Sequence, residues 1–261
     1  MGIFQAFLLG IVQGITEFLP ISSSGHLLLL PKVINMPDQG LAVDALLHLA
    51  TGLAIITYFY KDWWKMLTSW RTNKLLRKII VASIPAAIIG LLFQGLIESY
   101  LRSAWVVVIM LLVVAGVMWW VEENYTEVRK VDDGKRKFAI GWVESLIVGF
   151  AQVIALIPGT SRSGITISAG MWQKVTRADA AKFTFLLAVP VTIGAGLLKL
   201  PDVLSDSSVD MLPLVVAVVT TFSVAYITMN WLLKYLKSNT LKPFVYYRIV
   251  LAVLVAIFLL F

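Results

Sequence analysis

The sequence predicts an all-α polytopic membrane protein, with six transmembrane helices and two re-entrant helix–loop–helix hairpins meeting near the midplane of an inverted-topology repeat. Three observations predict it. First, the chain is 59% hydrophobic and 14% charged over 261 residues, with a mean hydropathy of +0.86, far from the balance of a soluble domain. Second, a short window near the N-terminus recurs 139 residues later. Third, the basic residues gather in alternate connections, which orients the spans.

The elements follow in order. Residues 2–30 are apolar but interrupted by Pro20 and the run Ser22-Ser23-Ser24-Gly25, and form the first hairpin. Residues 1–19 lack a basic leading region, so no cleavable signal sequence is expected. The apolar stretches 43–60, 79–97 and 104–121 are each long enough to span the hydrocarbon. A hydrophilic connection covers 122–140, and 141–172 is the second hairpin, with Pro158-Gly159-Thr160-Ser161-Arg162-Ser163-Gly164 at its tip. Three more spans lie at 182–200, 212–233 and 244–261. The whole, 1–261, is one integral membrane domain of two repeats, 1–121 and 141–261.

Orientation comes from the connections. Lys61, Lys65, Arg71, Lys74, Arg77 and Lys78 fall in one, and Arg129, Lys130, Lys135, Arg136 and Lys137 in another. Lys174, Arg177, Lys182, Lys234, Lys237 and Lys242 fall in two more. The other connections hold only Lys32, Arg102 and Lys199, with Asp202, Asp206 and Asp210. Seventeen against three makes the first group cytoplasmic. For residues 122–140 and 173–182 both to lie inside, 141–172 must enter and leave on one side. Both termini then lie outside, and the first hairpin dips from that side. The net charge of +7 belongs to these loops and anionic headgroups rather than to a nucleic-acid partner. Cysteine is absent, which excludes disulfides and thiolate chemistry.

Laying 145–165 over 6–26 without a gap pairs Gly10 with Gly149, Gln13 with Gln152 and Ile15 with Ile154. It also pairs Ser22 with Ser161, Ser24 with Ser163 and Gly25 with Gly164. The copies differ where chemistry needs them to. The first has Glu17 and His26 against Leu156 and Ile165, and the second has Arg162 against Ser23.

An arginine inside an apolar chain needs an offsetting partner, and a phosphate suits its planar fork. The helix N-termini after the two loops favour an anion as well. Gln13 and Glu17, four apart on one helical face, could hold Mg²⁺ or Ca²⁺ with phosphate oxygens completing the coordination. They could equally hydrogen-bond to each other. His26 suits proton transfer or attack on phosphorus. Ser163, Ser168 and Thr166 read more readily as helix-packing groups than Ser22, Ser23 and Ser161 do. Asp44 and His48, again four apart, are candidates to support the site or to satisfy themselves at the interface.

At these residues the chain resembles the undecaprenyl-diphosphate phosphatase family of the bacitracin-resistance type. The family's Glu/Gln-x-x-x-Glu motif is matched by Gln13 to Glu17, although many members have Glu where this chain has Gln13. Its Ser-Ser-x-Gly-His run is matched by Ser22 to His26, and its P-G-x-S-R-S-x-x-T motif by Pro158, Gly159, Ser161, Arg162, Ser163 and Thr166. The resemblance implies removal of the terminal phosphate from a C55 polyprenyl diphosphate, on the outer face of the cytoplasmic membrane. This regenerates the lipid carrier for cell-wall glycan assembly. Under it Glu17, His26, Ser23 and Arg162 are catalytic. Ser22, Ser24, Gly25, Gly159, Thr160, Ser161, Arg162, Ser163 and Thr166 bind the diphosphate, Gln13 and Glu17 hold the divalent cation, and Asp44 with His48 supports them. The competing reading is a transporter or flippase of an anionic lipid, since inverted repeats with broken helices suit alternating access. A carrier needs the clamp but has little need of a Glu/His pair beside it. Small residues such as Gly194-Ala195-Gly196 could serve a homodimer or pack helices within one chain.

Overall fold

In the computed structural model the described residues are 1–33, 40–125, 140–205 and 210–260. They form eleven helices and no strand. The basic residues Arg129, Lys130, Lys135, Arg136 and Lys137, and the acidic Asp206, lie outside the described residues.

The chain opens with two short helices, α1 (Ile3–Thr16) and α2 (Ser23–Val33), followed by α3 (Gly40–Tyr58), α4 (Tyr60–Thr68), α5 (Lys74–Tyr100) and α6 (Ala104–Glu123). The second half follows the same order without a counterpart of α4, with α7 (Trp142–Ile154), α8 (Arg162–Trp172), α9 (Arg177–Ser205), α10 (Met211–Tyr235) and α11 (Lys242–Leu260). Six helices are long and apolar enough to cross a membrane: α3, α5, α6, α9, α10 and α11. At 1.5 Å per residue, α1, α2, α7 and α8 reach only about 16–21 Å, short of a ~30 Å hydrocarbon core.

Helix starts are written locally. Asn73, Ser103 and Asp210 each accept a hydrogen bond from the first-turn backbone of the helix that follows. The hydrophilic stretch 61–78 is not one long loop. Residues 60–68 form α4, whose Met66 is buried while Trp64 and Leu67 are exposed. Its apolar and charged residues alternate at helical spacing, which suits a helix lying in the membrane interface. Lys182 is likewise helical and reaches back to Asp62 at 2.9 Å.

The halves are interlocked. α1 packs chiefly on α10 of the other half and α7 on α5, while α3 pairs with α9 and α6 with α11. The repeated glycines make the close approaches. A Cβ on Gly10 would meet the Ala217 carbonyl and Thr220, and one on Gly149 would meet the Ala82 backbone. Gly196 similarly lets α9 close on Leu49 of α3, so that member of the small-residue patch is spent within the chain. Gly149→Ala is expected to cost about 1–3 kcal/mol of stability through overpacking. Gly116→Ala, where a Cβ meets nothing within 4 Å, should leave the melting temperature unchanged or raised. Thermal melts in detergent compare the two.

The largest apolar core joins the first loop to α9 and α6, with Phe18 edge-on to Phe185 at 5.1 Å and Met118 in the same cluster. At one end Glu122 takes a bidentate bond from Arg177 and a third from the Leu241 amide at 2.6 Å. That carboxylate ties α6, α9 and the approach to α11 together. Exposed Trp70, Trp120, Trp142 and Trp172 stand near helix ends, as expected of an interfacial aromatic belt.

Candidate active site

The loops 17–22 and 155–161 meet. The Gly159 amide donates to Ser24 Oγ at 3.3 Å, and Ser163 Oγ donates to the Leu19 carbonyl at 3.1 Å. Gly159 has φ +90°, and a Cβ there would strike the backbone of Val107, so only glycine lets this loop lie against α6.

The repeated serines have the same local job in both copies. Ser22 (φ 76°) and Ser161 (φ 68°) are both left-handed. Each accepts from the amide three residues on, Gly25 at 3.3 Å and Gly164 at 3.1 Å. Each hydroxyl also meets the serine two residues on, Ser24 at 3.3 Å and Ser163 at 3.1 Å. These are helix-capping geometries, and both side chains are buried. The hydroxyls of Ser22 and Ser161 are thus occupied in starting α2 and α8. Thr160 and Thr166 are fully buried and donate to the carbonyls of Ile154 and Arg162, and Thr166 also accepts from Thr184. Neither hydroxyl is open to a ligand.

The first residue of each capped helix points elsewhere. Ser23 and Arg162, paired in the repeat, converge on one carboxylate from opposite halves. Ser23 Oγ donates to Glu17 Oε2 at 2.7 Å, and Arg162 forms an ion pair with Glu17 Oε1. Gln13 Nε2 donates to Glu17 Oε2 at 3.0 Å, and His48 Nε2 lies 3.3 Å from the same oxygen. Glu17 is buried at 7% exposure, so its charge depends on these donors and cations.

His48 joins the site directly, whereas Asp44 supports it from behind. The Asp44 carbonyl holds His48 Nδ1 at 2.8 Å, and its carboxylate pairs with Arg102 at 3.3 Å. His26 stands to one side: Nδ1 meets the Ser22 carbonyl at 2.7 Å and Nε2 meets Tyr247 Oη at 2.8 Å. The residue hydrogen-bonded to Ser23 is therefore Glu17, not His26.

Gln13 has no exposed surface, and its Oε1 has no hydrogen-bond partner. That orphaned oxygen beside the Glu17 carboxylate is the donor chemistry of a hard divalent cation. Among the described residues no cluster of three His, Asp or Glu side chains could hold a metal unaided. The set therefore fits Mg²⁺ or Ca²⁺ only when ligand oxygens complete the coordination.

Two residues missing from the sequence reading stand beside the loops, Tyr247 and Arg248. A signal existed, because of 22 Lys and Arg only Arg162 and Arg248, besides Lys182 and Lys199 at the ends of the predicted span 182–200, fall outside the predicted hydrophilic connections. Arg248 lies four residues inside the predicted span 244–261, close enough to its end to pass for a headgroup contact.

With this geometry in view, the comparisons with known proteins are specific. The chain is 42% identical over 262 residues to a curated undecaprenyl-diphosphatase of Aliivibrio salmonicida (strain LFI1238), covering 96% of each protein. It is 38% identical over 270 residues to undecaprenyl-diphosphatase 1 of Pseudoalteromonas translucida (strain TAC 125), covering 99% of each. The sequence model of the family described as bacitracin resistance protein BacA matches residues 6–254, and the chain belongs to that family.

Proposed function

We propose that this chain hydrolyses undecaprenyl diphosphate to the monophosphate and inorganic phosphate, recycling the lipid carrier used in cell-wall glycan synthesis. The observation that carries the site assignment is the convergence of Ser23 and Arg162 on Glu17, which joins hydroxyl, cation and carboxylate from both halves. In the reaction the bond from the terminal phosphorus to the bridging oxygen breaks, and its electrons leave with the lipid monophosphate. An oxygen from water ends on the released phosphate.

Arg162 clamps the diphosphate. One of its nitrogens is held by Glu17, and the rest of the fork is available to phosphate oxygens. The starts of α2 and α8 add backbone dipoles favourable to an anion. Ser23 is held by the Glu17 carboxylate, which is placed to take its proton. His26, with Nδ1 fixed on a carbonyl, keeps Nε2 as the nitrogen that accepts or delivers a proton. Ser23, His26 and a water are the candidate nucleophiles. Gln13 and Glu17 would hold a divalent cation, which neutralises diphosphate charge when bound. The supporting roles go to Ser24 and Gly159, which join the loops, and to Ser22, Gly25, Ser161 and Ser163, which shape them.

The two hairpins are assigned as re-entrant, in halves of opposite orientation, in the cytoplasmic membrane. The site opens to the extracytoplasmic side and both termini lie outside. The distribution of Lys and Arg and the short lengths of α1, α2, α7 and α8 support this. The test is phosphate release from C55 polyprenyl diphosphate by detergent-purified protein, with and without chelator. Release that stops on chelation and returns with Mg²⁺ or Ca²⁺ is expected. Folded protein that releases none with either metal would instead indicate a carrier of lipid phosphate.

A further inference from the structure

Arg248 lies six residues into α11 and has no exposed surface. Its Nε donates to the Leu111 carbonyl at 3.2 Å and Nη1 to the Pro20 carbonyl at 3.4 Å. Nη2 donates to the carbonyls of Met110 and Gly159, each at 3.0 Å. Among the described residues no carboxylate lies within ion-pair distance of it. Converging carbonyl dipoles offset its charge instead.

A guanidinium has five N–H groups, and four hydrogen bonds to carbonyls leave almost nothing for a phosphate. Arg248 is therefore not a second clamp. What it joins is informative. Pro20 belongs to the first loop, Gly159 to the second, and Met110 and Leu111 to the middle of α6. One side chain thus fixes both loops against a single span.

The preceding residue holds the site's histidine. A carbonyl only accepts, so His26 Nδ1 carries the proton in its contact with Ser22. In the neutral ring Nε2 then offers its lone pair to the Tyr247 hydroxyl at 2.8 Å. The two rings also stack, with centroids 5.8 Å apart and planes 15° apart.

We propose that Tyr247 and Arg248 are positioning residues for the hydrolysis. Arg248 sets the separation of the two loops, and so of Arg162 from Ser23 and Glu17. Tyr247 fixes the direction of His26 Nε2. The inference rests on the hydrolase reading above and adds the last helix to the catalytic apparatus.

Steady-state phosphate release, with gel filtration and thermal melting in detergent, compares the wild type with Arg248→Lys, Arg248→Met and Tyr247→Phe. Lysine keeps the charge but cannot bridge several fixed carbonyls. Both Arg248 variants should lose about 100-fold in kcat with little change in KM, as small misplacements of reacting groups do. Phenylalanine keeps the stacked ring and removes one hydroxyl, and should lower kcat about tenfold at unchanged melting temperature. A wild type without activity defeats the hydrolase reading itself. An active wild type with near-normal kcat in Arg248→Lys overturns the role of Arg248. So does a raised KM at constant kcat, which would put Arg248 on the substrate. Failure of both Arg248 variants to fold makes the residue a folding determinant and overturns its positioning role. Normal kcat in Tyr247→Phe overturns that of Tyr247.

Discussion

Arg162→Ala is expected to lower phosphate release by about 10³-fold or more, the range seen when an arginine that stabilises a transferring phosphoryl group is removed. Arg162 is the first residue of α8, where the capping geometry at Ser161 fixes its backbone. Its side chain is 16% exposed, enough to reach a ligand while remaining largely desolvated. Charge–charge contacts gain strength in such a setting. Arg162→Lys should recover only a small part of the loss, because an ammonium cannot reproduce the planar fork. Initial rates on monodisperse protein, with the melting temperature as a folding control, decide it. Retention of more than a tenth of wild-type turnover in Arg162→Ala would defeat the clamp.

Glu17→Gln is expected to be as severe. Four side chains from four helices face this carboxylate: Gln13, Ser23, His48 and Arg162. Glutamine keeps the shape but removes the charge and turns one acceptor oxygen into a donor, which must then face a donor. Turnover should fall by about 10³-fold, and added Mg²⁺ or Ca²⁺ should not restore it, since the proposed metal site loses its one anionic ligand. Stability should fall too, by up to about 3–5 kcal/mol, because Arg162 loses its partner in a largely buried place. The double variant Glu17→Gln/Arg162→Gln separates the effects. It should regain stability relative to Glu17→Gln while staying inactive, a coupling that a double-mutant cycle measures directly. Metal-restored activity in Glu17→Gln would remove Glu17 from the site.

The repeated window shows how far pattern alone reaches. Its identities raised the idea of a shared ligand site, yet most of them serve construction. Gly10 and Gly149 admit a neighbouring helix, Ser22 and Ser161 cap, and Ser24 and Ser163 bridge to the opposite loop. A serine hydroxyl has the same letter whether it caps a helix or meets a phosphate, so sequence could not separate Ser161 from Ser23. Of the differing positions singled out, Glu17 and Arg162 are brought into contact by the fold, while His26 stands to one side.

Sequence by itself determined the six spans, the breaks between the two pairs of short helices and the identity of the ionisable residues, and the family motifs matched the relatives' names. The reason is local: hydropathy over a span, glycine and proline breaks, and cap residues act within a few positions of themselves. Tertiary structure alone decided which groups meet. His48 keeps the Asp44 carbonyl at Nδ1 but turns Nε2 to Glu17, while the Asp44 carboxylate turns to Arg102. Arg248, which the sequence reading did not single out, became the tie between both loops. Those outcomes depend on α1 packing against α10 and α7 against α5 across the two halves. A buried charge must take whatever dipole or counter-charge that packing delivers, and no local pattern carries this information.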